Sequence, residues 1–195
     1  MKVKICGITS PEDAVMCEEK GADALGFVYV AGRKRSMALE TISDICSTLG
    51  PMTTRVLVCA PRAPADAREL FDRSGVDVLQ TYTLEPDQIA EVQRGGIPVF
   101  RAVPPLRSEA SRFAQHAAAL VFEAGTPGTG RSFDYSLVPV DSCRRAIIAG
   151  GLTVDNLDRA KAMRPYALDV SSGVESEPGR KDPHLVEEFI RRAKA

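Results

Sequence analysis

A thiol and a carboxyl group are the side chains of this sequence best placed for acid–base chemistry. Cys6 ends the short apolar run 3–6. A lone cysteine is usually an inert core residue, but at the end of a strand it is also a candidate base or nucleophile. Glu123 follows the apolar run 118–122 and precedes a glycine-rich loop. A solvated loop acid is the simpler interpretation, although a half-buried carboxyl with a raised pKa could act as a general acid.

Two short loops of small residues are candidate phosphate sites. One contains Gly150 and Gly151, and the other contains Ser171, Ser172 and Gly173. Glycine lets backbone N–H groups approach phosphate oxygens closely, and serine adds hydroxyl donors. Either loop alone could be an ordinary turn, but two such loops after successive strands favour phosphate binding.

Charged residues near these loops suggest further contacts to a ligand. Asp169 lies inside an apolar strand, where an acid needs a partner or a purpose, so we expect it to orient the following loop or contact substrate. Arg33, Lys34 and Arg35 form a basic cluster. It could be a solvated loop or a small nucleic-acid patch, but one arginine holding a carboxylate or phosphate is the simpler interpretation.

Short apolar runs alternate with amphipathic stretches along the whole chain, and this alternation predicts the elements that position these residues. We predict strands over 3–6, 24–30, 55–60, 76–80, 97–102, 118–122, 145–149 and 166–170. The predicted helices cover 10–21, 39–49, 65–73, 86–93, 108–116, 154–163 and 183–193, with a short helical turn around Tyr135.

Eight strand–helix pairs predict an α/β fold, a (β/α)8 barrel forming a single domain over residues 1–195. An open doubly wound sheet is the competing fold, but no GxGxxG follows the first strand. Because the active sites of such barrels lie at the carboxyl ends of the strands, the candidate residues should meet at one rim.

The composition sets further limits on function. With 25 basic and 26 acidic residues, the net charge of −1 does not favour non-specific nucleic-acid binding. Five cysteines without a CxxC pair and only two histidines, His116 and His184, argue against a disulfide framework or structural zinc. We also find no signal-peptide pattern and no membrane-spanning apolar run, so we expect a cytoplasmic protein that binds no membrane.

Seven segments point together to one family: residues 4–9, 21–28, 34–35, 128–135, 149–152, 169–175 and 178–182. Over its whole length the chain resembles the phosphoribosylanthranilate isomerases of tryptophan biosynthesis. The resemblance implies a (β/α)8 barrel that catalyses the Amadori rearrangement of N-(5-phosphoribosyl)anthranilate to 1-(2-carboxyphenylamino)-1-deoxyribulose 5-phosphate. It implies no metal or organic cofactor. The expected partner is the small phosphorylated substrate alone, and the chain should be a monomer or a homodimer.

The same resemblance implies a role for each candidate residue. Cys6 matches the general base that removes the C2 proton of the ribose, and Glu123 stands where the family has the acid that protonates the ring oxygen. Arg35 matches the arginine that holds the anthranilate carboxylate, and Asp169 matches a polar residue lining the pocket. The residues that match the family's phosphate-binding loops are Gly150, Gly151, Ser171, Ser172 and Gly173.

Two departures from the family pattern keep alternatives open. The family's acid is an aspartate rather than a glutamate, and its Gln-Leu-His-Gly segment is replaced by Gln80-Thr81-Tyr82-Thr83. A catalytically silent barrel that binds a phosphorylated ligand is therefore a second hypothesis. A related sugar-phosphate isomerase of histidine biosynthesis is disfavoured, because that family uses two aspartates and the sequence has none near Cys6.

Overall fold

Eight parallel strands close into a barrel in the computed structural model, which describes residues 1–124 and 132–195. Each strand pairs with the next, and the eighth pairs with the first. The strands are Lys2–Cys6 (β1), Ala24–Tyr29 (β2), Thr54–Cys59 (β3), Val78–Thr81 (β4), Val99–Val103 (β5), Ala119–Phe122 (β6), Ala146–Ala149 (β7) and Ala167–Val170 (β8). The prediction of a (β/α)8 barrel is confirmed, and the competing hypothesis of an open doubly wound sheet is wrong.

Seven α-helices in the described residues cover the outside of the barrel. They are Pro11–Glu19 (α1), Leu39–Ser47 (α2), Pro64–Ser74 (α3), Pro86–Arg94 (α4), Arg107–Phe113 (α5), Leu157–Lys161 (α6) and Pro183–Lys194 (α7). Two 3-10 turns, Tyr135–Leu137 and Val140–Ser142, lie between β6 and β7. The predicted turn at Tyr135 is thus present, whereas α6 is shorter than the predicted helix 154–163. The predicted glycine-rich loop after β6 lies at 125–131, outside the described residues.

A small antiparallel hairpin follows β8, and the sequence analysis did not predict it. Its strands are Glu175–Glu177 (β9) and Arg180–Lys181 (β10). Strands of three and two residues are too short to show an alternating pattern, which explains the omission. The hairpin lies at the rim where the candidate residues gather.

Mostly aliphatic side chains fill the barrel interior, with Tyr82 and Phe100 packed against them, and a larger core lies between the sheet and the helices. In β6, Ala119 and Val121 belong to the interior cluster, and the alternating Leu120 and Phe122 belong to the outer core. This alternation follows from the two-residue period of a strand. None of the described helices is both long and apolar enough to span a bilayer.

The N-terminus of α7 gives a test of helix capping in the fold. The Asp182 carboxylate accepts hydrogen bonds from the backbone N–H groups of His184, at 2.8 Å, and Leu185, at 3.0 Å. We expect Asp182→Ala to lower the free energy of unfolding by about 1 kcal/mol, because two donors lose their partner. Urea unfolding followed by circular dichroism measures this change. Asp72→Ala on the exposed surface of α3 is the control, and an equal loss in both variants would contradict the capping role.

Candidate active site

A cavity of about 340 Å³ opens at the carboxyl ends of the strands. This volume lies within the range of small-molecule sites. Eight of the nine predicted site residues line it: Cys6, Arg35, Glu123, Gly150, Gly151, Asp169, Ser171 and Ser172. The barrel topology thus gathers residues that are far apart in the sequence. The ninth, Gly173, packs beside the cavity instead.

Cys6 contributes the only thiol among the described residues that line this cavity. Burial raises the pKa of the thiol above its ordinary value, and the nearby Lys4 ammonium opposes that rise. The other four cysteines are also free thiols. Burial raises the pKa of Cys46 to about 12, so the thiolate of that residue is strongly disfavoured. Cys6 differs from the others because it has both access to the cavity and a cationic neighbour.

A buried ion pair lies beneath the thiol. The Lys4 Nζ is 2.7 Å from the Asp169 Oδ2, and both side chains are at most 5% exposed. Burial alone would lower the pKa of Lys4, but the charges of Asp169 and Cys6 together with the hydrogen bonds to both residues outweigh it, and the pKa of Lys4 is raised. Lys4 therefore stays protonated inside the barrel.

Glu123 lies on a different wall of the cavity, directly after β6. Burial raises the pKa of its carboxyl, and the charge of Asp169 raises it further. The Tyr82 hydroxyl, which lies at the end of β4, acts in the opposite direction and lowers this pKa. A carboxyl with a net raised pKa is suited to donating a proton near neutral pH.

Three buried oxygen atoms of the cavity-lining residues have no hydrogen-bond partner. They are Gln80 Oε1, Glu123 Oε1 and Asp169 Oδ1. A buried acceptor without a partner costs free energy, so these atoms are available to accept hydrogen bonds from a ligand or from water that enters the cavity. Hydroxyl groups are donors of the required kind, and the set is therefore suited to a polyhydroxylated ligand.

Arg35 reaches the cavity from the loop after β2, but its guanidinium is already engaged. Its Nε donates to Glu175 Oε1 at 2.7 Å and its Nη2 to Glu175 Oε2 at 2.5 Å. The buried Lys181 Nζ also donates to Glu175 Oε1, at 2.9 Å, and to the Cys6 carbonyl at 2.7 Å. The hairpin β9–β10 thus fixes Arg35 and the end of β1 through one buried carboxylate.

The two loops of small residues lie side by side. The carbonyls of Gly150 and Gly151 accept hydrogen bonds from Tyr135 Oη, at 2.9 Å, and Asn156 Nδ2, at 2.8 Å. These bonds fix the peptide planes of the first loop. Gly173 of the second loop packs on the first, because a Cβ at this position would overlap the Leu152 carbonyl and lie 2.9 Å from its carbon. Only glycine allows the two loops to approach so closely.

Sequence analysis missed the charged residues that support the site. Lys4, Glu175 and Lys181 lie in segments that carry the family resemblance, but no role was given to them. Lys4 carries the same local signal as Asp169, because it too is a charged residue inside an apolar strand. Nothing local distinguishes Lys181, which is buried only because the hairpin folds over β1.

The structure places no group of three or more His, Cys, Asp or Glu side chains suited to a metal ion within residues 1–124 and 132–195.

Comparison with known proteins agrees with this arrangement. The family model for N-(5′-phosphoribosyl)anthranilate isomerase matches residues 3–192. The N-(5′-phosphoribosyl)anthranilate isomerase of Geobacter metallireducens is 42% identical over 202 residues, which cover 100% of both chains.

Solved structures show the same similarity. The phosphoribosylanthranilate isomerase of Thermus thermophilus is 37% identical, with a TM-score of 0.91 over 100% of this chain and 98% of that one. A second isomerase structure, in complex with reduced 1-(o-carboxyphenylamino)-1-deoxyribulose 5-phosphate, is 32% identical, with a TM-score of 0.88 over the same shares. This chain therefore belongs to the N-(5′-phosphoribosyl)anthranilate isomerase family.

Proposed function

We propose that Cys6 and Glu123 are the base and the acid of a phosphoribosylanthranilate isomerase that acts in tryptophan biosynthesis. The observation that carries the proposal is the joint position of a thiol and a carboxyl on different walls of one cavity. Membership of the isomerase family supports the reaction, the rearrangement of N-(5′-phosphoribosyl)anthranilate to 1-(2-carboxyphenylamino)-1-deoxyribulose 5-phosphate.

The reaction needs one proton donor and one proton acceptor. Glu123 gives its proton to the ring oxygen of the ribose as the C1–O bond breaks, and the anilino nitrogen supplies electrons to form a protonated imine. The Cys6 thiolate then removes the C2 proton, and the C2–H electrons neutralise the imine. The resulting enaminol becomes the product ketone by proton transfer. A thiolate and a neutral carboxylic acid are the protonation states that these steps require.

The remaining polar groups hold the substrate. Arg35 binds the anthranilate carboxylate, and Gly150, Gly151, Ser171 and Ser172 donate to the phosphate through backbone N–H and hydroxyl groups. Gly173 keeps the two phosphate loops together. The unpaired oxygens of Gln80 and Asp169 accept hydrogen bonds from the ribose hydroxyls. The substrate is thus held at both ends, and the sugar lies between the thiol and the carboxyl.

Glu175 determines the orientation in which the Arg35 guanidinium meets the substrate carboxylate. Its carboxylate occupies two of the guanidinium donors, and the hydrogen bonds from Arg35 and Lys181 lower the pKa of Glu175 although burial raises it. Glu175 therefore stays ionised and holds the guanidinium in one orientation. The substrate carboxylate then meets an arginine whose side-chain entropy has already been reduced.

The proposal also covers the organisation of the chain. We propose one domain over residues 1–195, active in the cytoplasm as a monomer or a homodimer on its small phosphorylated substrate alone. The molar mass of the purified chain by light scattering distinguishes the two assemblies.

Removing either catalytic group should reduce turnover strongly. We expect Cys6→Ala and Glu123→Gln each to lower kcat by roughly 10²–10⁴-fold, because each removes one proton transfer. Loss of anthranilate fluorescence measures the turnover. Cys143→Ala and Glu187→Gln, which alter the same residue types away from the cavity, are the matched controls and should retain the activity.

The pH dependence separates the two roles. In the wild type, kcat/KM should rise and then fall with pH, because both the Glu123 and the Cys6 pKa are raised and only the thiolate–carboxylic acid form reacts. Glu123→Gln should lose the alkaline fall. Unchanged turnover in Cys6→Ala would remove the proposed base. Absence of turnover in the wild type, with phosphate still bound, would instead support the silent barrel.

Phosphate binding should depend on the contact between the two loops. A Cβ at Gly173 forces the loop away from Leu152, so we expect Gly173→Ala to raise KM roughly tenfold or more by displacing charge-assisted hydrogen bonds. The inhibition constant of inorganic phosphate should rise in parallel. Gly50→Ala is the control, since a Cβ there meets the Glu18 side chain no closer than 3.4 Å. If the inhibition constant of inorganic phosphate is unchanged in Gly173→Ala, the phosphate of the substrate binds somewhere other than these two loops.

A further inference from the structure

Lys4 occupies an unusual position for a lysine. It belongs to β1, its side chain points into the barrel, and the residue is only 2% exposed. Cys6 and Asp169 line the cavity, but Lys4 is not among the described residues that do so. Lys4 therefore lies below the floor of the site and can influence the reaction only through residues that contact the substrate.

Gly26 shows how close Lys4 is to the thiol. This glycine is the β2 partner of Cys6 in the barrel. A Cβ on Gly26 would lie 2.8 Å from Cys6 Sγ and 3.0 Å from Lys4 Nζ. Since both atoms lie within 3.0 Å of one point, they are less than 6 Å apart. Over such a distance inside a protein, a positive charge strongly favours the ionised form of a thiol.

Other charged and titratable groups also surround Cys6: Arg35, Tyr82, Asp169 and Lys181. Two of these groups, Arg35 and Lys181, are cations that already share the Glu175 carboxylate as their counter-charge. Arg35 forms two hydrogen bonds with Glu175, and Lys181 donates to Glu175 and to two backbone carbonyls. Lys4 has Asp169 as its partner, yet the effect of Lys4 on the thiol exceeds that of Asp169. Lys4 is thus the principal cation acting on the sulfur.

Besides acting on the thiol, Asp169 affects the protonation state of Lys4. An amine buried in the barrel interior would otherwise lose its proton, because burial penalises the charged form. The carboxylate at 2.7 Å keeps Lys4 ionised. Asp169 therefore has two opposed effects: its charge raises the pKa of the Cys6 thiol, and the same charge favours the ionised form of Lys4, which lowers the pKa of the thiol.

We propose that Lys4 is a positioning residue whose ammonium stabilises the Cys6 thiolate, and that Asp169 maintains the charge of Lys4. The inference rests on the proposed role of Cys6 as the base. It assigns to the pair Lys4–Asp169 the task of preparing the thiol before substrate arrives, and it gives Lys4 no contact with the substrate.

The direct test measures the thiol itself. The rate at which iodoacetamide alkylates Cys6 is followed as a function of pH by mass spectrometry of the peptide that contains it. We expect Lys4→Met to hold about tenfold less thiolate at neutral pH than the wild type, so that the midpoint of the alkylation profile moves to higher pH. A purely structural change would alter the plateau rate at high pH, not the midpoint.

A second variant keeps the test valid if Lys4→Met does not fold, because that substitution leaves Asp169 buried without a partner. Lys4→Met/Asp169→Asn removes both charges of the pair. It also lacks the ammonium, so its alkylation midpoint should again lie above that of the wild type. Lys2→Met makes the same chemical change at an exposed position of β1 and should leave the profile unaltered.

Turnover links the thiol to the reaction. In Lys4→Met, kcat should fall about tenfold at neutral pH with little change in KM, and the difference from the wild type measured at the same pH should narrow as the pH rises and the thiol of the variant ionises. An alkylation midpoint equal to that of the wild type in the folded variants would overturn the role of Lys4. Full turnover in Cys6→Ala would instead overturn the proposed base, and the alkylation profile distinguishes these two failures because it requires no activity.

Discussion

The pairing of β8 with β1 is the contact on which the site depends. It closes the barrel, and its register places Lys4 directly beside Asp169 although 165 residues separate them in the chain. The same closure brings the loop after β8 next to the end of β1, where Lys181 binds the Cys6 carbonyl. A register change of one residue would turn Lys4 away from the interior and leave the carboxylate without its partner.

The barrel and most of the cavity lining could be predicted from the sequence, because both depend on local patterns. Eight apolar runs separated by amphipathic stretches indicate eight strand–helix units, and the rule that strand ends meet at one rim brings Cys6 and Glu123 together. The boundaries were less predictable. The helix over 154–163 is only Leu157–Lys161 in the structure, since the residues before it form turns whose hydrogen bonds involve Asn156.

The ion network was beyond the reach of sequence reasoning, because its partners meet only after the chain has folded. Glu175 binds Arg35, 140 positions away, together with Lys181. The sequence also contains no aspartate near Cys6 along the chain, and that absence served as an argument against a two-aspartate isomerase. In space Asp169 does lie near Cys6, but Lys4 engages its carboxylate. The assignment to one of the two isomerases therefore rests on the family match over residues 3–192 rather than on the absence of an aspartate near Cys6.

Two buried ion clusters in one small barrel are difficult to explain by stability alone. Replacement of a buried ion pair by well-packed apolar residues is often neutral or stabilising, because removing charges from water costs more than their attraction returns. The neighbouring interior of this barrel shows that apolar packing is available, since Ala119, Val121 and Ile147 form a compact cluster. The charges at Lys4 and Asp169 lie beneath the thiol of the proposed base, and the Arg35–Glu175–Lys181 cluster lies at the proposed carboxylate end. Under the proposed mechanism, both clusters occupy positions where a fixed electric field would assist proton transfer or anion binding, and this gives a physical reason for their burial.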